Sequence, residues 1–252
     1  MTTLFQKLRR DVSGVAALEF AFVAPLLILV LLGTVELYNE ITSGRHVQQA
    51  SYSIAQIISE APNPPSTVDY QDLQMAHDSA MIAFPLVLAD SASKGINWSK
   101  DVSITISSIV VTQDPTCAGK ANCQYVANVA WTWGDAKRPC SVNLQKASDT
   151  ADPSPTTLPS DAFAPGSIIV ADVSYHYTPV IFDGIVRSIN YKRTAYLQPR
   201  NVQPTSYIQY DRIAGDPGAT TICPVAPPSN SSGNSSGADN SGGNPPQHHH
   251  NF

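Results

Sequence analysis

Glutamate is nearly missing from this chain. The four present are Glu19, Glu36, Glu40 and Glu60, with none after residue 60. Charge of every kind is sparse, at 14% of residues, and the basic side has no excess: 15 Lys and Arg against 20 Asp and Glu give a formal charge of −5. A nucleic-acid partner calls for a basic footprint, so none is expected. Cysteine is scarce too, with four in 252 residues, too few for a fold held mainly by disulfides.

Catalytic signatures are also lacking. There is no G-x-S-x-G elbow, no P-loop and no H-E-x-x-H pair. His46, His77 and His176 stand apart from one another. Asp78 follows His77, but neighbouring helix positions point apart. The cysteine spacing has no C-x2-C half and no histidine at ligand spacing. His248, His249 and His250 sit in a polar tail. The expectation is a protein that is not an enzyme, with no catalytic residue, no metal site and no cofactor.

What is present begins with one long apolar run. Lys7, Arg9 and Arg10 form a basic cluster, and Phe20–Val35 then runs without a charge between Glu19 and Glu36. A spanning helix needs about 20 mostly apolar residues, so the two glutamates belong near the membrane interfaces. The basic cluster predicts a cytoplasmic N-terminus with the bulk of the chain outside. A cleavable secretory signal is the competing reading. Against it, no A-x-A-like site follows the run and a glutamate precedes it.

Glu19 is the residue that needs a partner, because a carboxylate at the edge of an apolar span is costly unless paired. Cleavage after Gly14 would create a new amine at Val15 and make Glu19 the fifth residue. In a neighbouring subunit displaced along an assembly, Glu19 could then meet that amine. Without cleavage, Glu19 would pair with Arg10 or reach the headgroups.

The stretch RRDVSG-VAALEFAFVAPLLILVLLGTVEL resembles the N-terminus of TadE/TadG-like pilus assembly proteins, minor pilins (pseudopilins) of the Flp/Tad type IV pilus machinery. Arg9, Arg10, Gly14, Glu19, Phe20, Ala21, Pro25, Gly33 and Glu36 carry the resemblance. Asp11-Val12-Ser13 separates the arginine pair from Gly14, where many relatives have them adjacent. The resemblance implies a processing site at Gly14 and Val15, cut by a prepilin peptidase. It also implies an assembly role for Glu19 and Phe20. The partners implied are that peptidase, other pilins, the inner-membrane pilus assembly platform and membrane lipid. A looser likeness covers the stretch from Tyr175 to Asn201, through Tyr177, Pro179, Phe182, Pro199 and Arg200. Asp90-Ser91-Ala92-Ser93-Lys94 departs from the Asp-x-Ser-x-Ser metal motif of longer relatives, since Ala92 stands where a serine is needed.

Beyond the apolar run, Val47, Ala50, Ile54, Ile57 and Ala61, with Ile58 alongside, recur at helical spacing. One unbroken helix from Val15 to Glu60 is predicted, about 70 Å long at 1.5 Å per residue, ended by Pro62-Asn63-Pro64-Pro65. A second helix follows, capped by Ser66 or Thr67. It buries Leu73, Ala76, Ala80, Phe84, Val87 and Leu88, runs antiparallel to the first and is kinked or ended by Pro85. Strand patterns come next. Val102, Ile104 and Ile106 alternate with polar residues. Tyr125, Ala127, Val129, Trp131 and Trp133 share one face, as do Ile169, Ala171, Val173, Tyr175 and Tyr177. Ser188–Tyr196 is a weaker fourth strand.

The predicted fold class is α+β: a transmembrane helix continuing into an amphipathic one, a second helix, a three- or four-stranded, mostly antiparallel sheet and a disordered tail. The organisation is a basic cytoplasmic leader over 1–14, a transmembrane helix over 15–37, an extracytoplasmic (periplasmic or extracellular) domain over 38–223 and a Pro/Ser/Asn/Gly-rich tail over 224–252. Residues 141–166 read as a long exposed loop. Four cysteines allow three connectivities. Cys117–Cys123 with Cys140–Cys223 is favoured, one stapling a hairpin loop and the other tying down the C-terminal segment, as expected outside the cytoplasm. Trp131 and Trp133 share a strand face, better suited to core packing than to a sugar platform. The functional expectation is a membrane-anchored minor pilin. The alternative is an uncleaved membrane-anchored extracytoplasmic binding protein or enzyme.

Overall fold

A computed structural model describes residues 13–61, 66–117, 120, 123–140, 142–179, 181, 184, 186–202 and 206–224, with the backbone alone for 13–16 and 86. Residues 1–12 of the expected leader, the prolines at 62, 64 and 65, Phe182 and the tail from residue 225 lie outside the described residues.

Helix α1 spans Ser13–Ser59 without interruption, with Pro25 inside it. Its second half presents Val47, Ala50, Ile54, Ala55 and Ile58, all buried, at steps of three and four that make one apolar stripe. Helix α2 spans Tyr70–Ala83. His46 on α1 meets the carbonyl of Ala83 at 3.0 Å and stacks on Phe84. The end of α2 therefore lies beside the middle of α1, and the two helices are antiparallel.

The cap of α2 differs from the expected Ser66 or Thr67. Asp69 is the N-cap, in a capping box with Asp72. Two acceptor carboxylates satisfy first-turn N–H groups that a single hydroxyl would leave partly unpaired. Thr67–Val68 instead forms a short strand, β1. Pro85 ends α2, but helix resumes at once as α3, Leu86–Lys94, with Pro85 as its N-cap. A proline lacks only an N–H that the first turn would leave unpaired. A single turn, α4, follows at Trp98–Asp101. There are thus four α-helices among the described residues rather than the expected two. Leu88, expected in the core, is 46% exposed.

The main sheet is antiparallel throughout. Its strands are β2 (Val102–Gln113), β3 (Tyr125–Gly134), β6 (Gly166–Tyr177), β7 (Ile189–Leu197) and β9 (Thr221–Ile222), in the order β7-β6-β2-β3-β9. Its fifth strand is two residues on the β3 edge, too short to show period-2 alternation. Two small parallel pairs complete the fold. β4 (Gln145–Ala147) pairs with β5 (Thr157–Pro159), and β1 pairs with β8 (Gln209–Tyr210).

Strand β3 does not keep one face as expected. Ser108 pairs with Trp131 and Ile109 with Val129, leaving Ala130 as an extra residue. This bulge reverses the alternation. Trp131 and Trp133 join the helix-side core, whereas Ala127 and Val129 join a second core on the opposite face. That second core corrects the reading of 141–166 as an exposed loop. Leu144 and Leu158 are 3% and 1% exposed and pack against Ile109, Val111, Val129 and Val170. The sheet is sandwiched between the helices and this folded-back segment, which is why β2 is buried along most of its length.

On the second face Arg138 is almost fully buried. Its guanidinium donates to both carboxylate oxygens of Asp172 at 2.9 Å and to the carbonyls of Pro155 and Thr157. Cys117 is bridged to Cys123 and Cys140 to Cys223.

Candidate functional site

The first half of α1 projects away from the sheet. From Leu18 to Leu31 its large apolar side chains are exposed, Phe20 at 68% and Phe22 at 77%. This part of the helix is long and apolar enough to cross a membrane. Gly14 and Val15 have helical backbone at its start. Glu19 is exposed and has no hydrogen bond or ion pair to a described residue. Pro25 removes one backbone N–H from the helical ladder, which spanning helices tolerate.

The change from exposed to buried helix is marked by Glu36. It is 5% exposed. Its Oε1 accepts from the Tyr177 hydroxyl at 2.6 Å and its Oε2 from the Ile181 N–H at 2.9 Å. Tyr177 ends β6, and Ile181 lies in the connection to β7. Burial, then the Glu36 carboxylate, pushes the Tyr177 phenol well above its ordinary 10.0. One turn further along, the Tyr191 hydroxyl donates to the Glu40 carbonyl at 2.9 Å. Gly44 then lies against the Tyr191 ring, where an added Cβ would sit 3.0 Å from its Cε1. Glu36, Glu40 and Gly44 thus fasten α1 to β6 and β7. Glu36 and Tyr177 could be seen in the sequence as single residues. Their pairing could not, because they are 141 positions apart and neither lies in a local pattern.

The other candidates are structural. Asp90 pairs with Lys94 and accepts from the Tyr175 hydroxyl, and Lys94 also reaches Asp101. His77 and Asp78 do not point apart as expected. Their side chains meet at 3.0 Å, and His77 lies between the rings of Trp98 and Trp133. Adjacent helical side chains diverge at Cβ, but a long imidazole can turn back to a short carboxylate. Trp131 is fully buried and donates from Nε1 to the Ile208 carbonyl at 2.7 Å. Trp133 lines an open cleft with Tyr70, Gln74 and Asp135. Among the described residues no group of three or more His, Cys, Asp or Glu is placed to hold a metal ion. The four cysteines lie at the β2–β3 turn and where the folded-back segment meets the C-terminal strand.

No curated protein and no solved structure matches the chain. The stretch from Tyr175 to Asn201, with its looser likeness, lies outside the family match at residues 14–56. Residues 14–56 match the family described as TadE-like protein, so the exposed apolar half of α1 and most of its buried half form a TadE-like segment.

Proposed function

We propose that the protein is a minor-pilin-like structural subunit of Flp/Tad pilus assembly. α1 anchors it in the bacterial inner membrane, and residues 1–14 form a cytoplasmic leader removed after Gly14 by a prepilin peptidase. The observation that carries this reading is the division of one uninterrupted helix. Its TadE-like first half exposes apolar side chains, while its second half is consumed by the protein's own sheet. The free half is then available for lipid and, after extraction, for the helices of other pilins. Glu19 and Phe20 are the assembly residues. The Glu19 carboxylate offsets the Val15 amine of a neighbouring subunit in a low-dielectric bundle, where an unpaired charge is strongly unfavourable. The folded domain stands on the far side of the membrane, where its two disulfides persist.

The N-terminal sequence of the protein isolated from its native membrane tests the proposal. A start at Val15 is expected. A start at Met1 with normal pilus assembly overturns processing and favours an uncleaved anchor. Glu19→Ala is expected to abolish incorporation into the assembly while membrane insertion persists.

A further inference from the structure

Ile181, in the β6–β7 connection, lies level with the end of the apolar part of α1. The Ile181 N–H bonds Glu36 directly. The exposed apolar side chains of α1 do not stop there: Leu37, Tyr38 and Ile41 are 55%, 68% and 49% exposed. Counting from Glu19, a hydrocarbon core of about 30 Å takes about 20 helical residues. That places Glu36 and Ile181 just inside its outer boundary. A bare carboxylate there would be costly, and here both of its oxygens accept hydrogen bonds from Tyr177 and the connection. Ile181 and Val186 in the connection are 38% and 42% exposed. Exposed Arg187 follows Val186 directly in the chain, and exposed Arg45 lies further along α1 than Glu36. Cations at a membrane–water boundary attract anionic headgroups.

We infer that Ile181 and Val186, in the β6–β7 connection, make a second membrane contact, inserted among the outermost acyl carbons of the bilayer with Arg187 at the headgroups. The inference rests on α1 being the anchor. It deepens that reading, because two contacts at different positions fix the tilt of the domain on the membrane, which one helix does not.

The test uses the full chain in liposomes. All four native cysteines are bridged, so an added one can carry an environment-sensitive fluorophore. Single variants Ile181→Cys, Val186→Cys, Leu29→Cys and Asp149→Cys are labelled and read for quenching by lipids brominated near the headgroup end of the acyl chain. Leu29 reports the span, and Asp149 lies on the exposed part of the folded-back segment. The expected result is at least twofold stronger quenching at 181 and 186 than at 149. Quenching at 29 with none at 181 and 186 overturns the inference and leaves the anchor standing. Labels at 181 and 186 shielded from aqueous iodide but untouched by brominated lipid mean a protein neighbour covers the connection, which also overturns it. No quenching at 29 overturns the anchor reading and this inference together.

Discussion

The Tyr177 hydroxyl donates to Glu36 Oε1 across 2.6 Å, joining the last residue of β6 to the point where α1 leaves its exposed segment. A hydrogen bond to a buried charged group contributes about 1.5–3 kcal/mol, whereas a neutral one contributes about 0.5–1.5 kcal/mol. Tyr191→Phe removes only a bond to the Glu40 carbonyl. Tyr177→Phe is therefore expected to lower stability about twice as much as Tyr191→Phe. Thermal unfolding of both variants in detergent measures the order, and a larger loss for Tyr191→Phe would contradict a charge-assisted bond at Glu36.

High pH should act through the same region. Burial, followed by carboxylate partners at Asp90 and Glu36, raises the phenols of Tyr175 and Tyr177 above their ordinary 10.0. A group whose folded pKa is raised contributes stability that is fully present below the unfolded value and lost as pH rises towards the folded one. Stability is thus expected to hold up to about pH 10 and to fall above it, as the unfolded chain releases protons that the folded chain keeps. Chemical denaturation followed from pH 8 to 12 checks this. A Tyr175→Phe, Tyr177→Phe double variant should show a shallower decline.

On the second face of the sheet, Arg138 is nine-tenths buried or more and gives its Nε–Nη2 edge to both carboxylate oxygens of Asp172. Removing one partner of a buried pair leaves the other charge uncompensated and costs about 3–5 kcal/mol, while replacing both by apolar groups is often far milder. Arg138→Met alone should be strongly destabilising. Arg138→Met combined with Asp172→Leu should recover part of the loss. Asp172 is not fully buried, with its side chain 24% exposed, so water moderates the single change at Arg138. Urea unfolding of the three proteins gives the coupling energy, and simple additivity would remove the pair from the account of this face.

Residues with a local period were legible in sequence, and those whose roles depend on distant chain were not. The stripe through Val47, Ile54 and Ile58 and the alternation along β6 follow from spacing alone, because each element buries one face in register with its own geometry. The β3 bulge was not legible. Tyr125 to Trp133 carries an apolar residue at every second position, and only pairing with β2 shows that Ala130 is an extra residue. Leu144 and Leu158 were hidden for a related reason. They are isolated apolar residues in polar, proline-dotted chain, and their burial depends on a sheet with a second uncovered face. At the site, the sequence displayed Gly14, Glu19 and Glu36 as singular residues, but not that Glu36 is held by Tyr177.

The two disulfides should contribute unequally. Cys140 and Cys223 are 83 residues apart and Cys117 and Cys123 only 6. On the loop-entropy account these constrain the unfolded chain by about 4.5 and about 2 kcal/mol. The Cys140→Ser, Cys223→Ser variant should lose much more stability than Cys117→Ser, Cys123→Ser. It should also expose the C-terminal segment to protease, since the β9 edge is anchored beside Cys223. Limited proteolysis with intact-mass detection, run beside thermal unfolding, reads both effects. Equal losses would indicate that residual structure in the unfolded chain already holds Cys140 near Cys223.

Two glycines on α1 separate folding from assembly. At Gly33 an added Cβ meets nothing within 4 Å, whereas at Gly44 it meets the Tyr191 ring at 3.0 Å. Replacing a helical glycine gains about 0.8–1 kcal/mol of helix propensity, and overpacking a buried contact costs about 1–3 kcal/mol. Gly44→Leu should therefore destabilise the isolated protein, with the ring driven off the helix, while Gly33→Leu should leave its unfolding unchanged or slightly raised. If the free half of α1 packs against other helices, as small residues at such interfaces allow, Gly33→Leu should instead reduce pilus assembly. Thermal unfolding of the purified chain and pilus yield from cells carrying each variant provide the two readouts. Full assembly with Gly33→Leu would place that face of α1 against lipid or solvent rather than another helix.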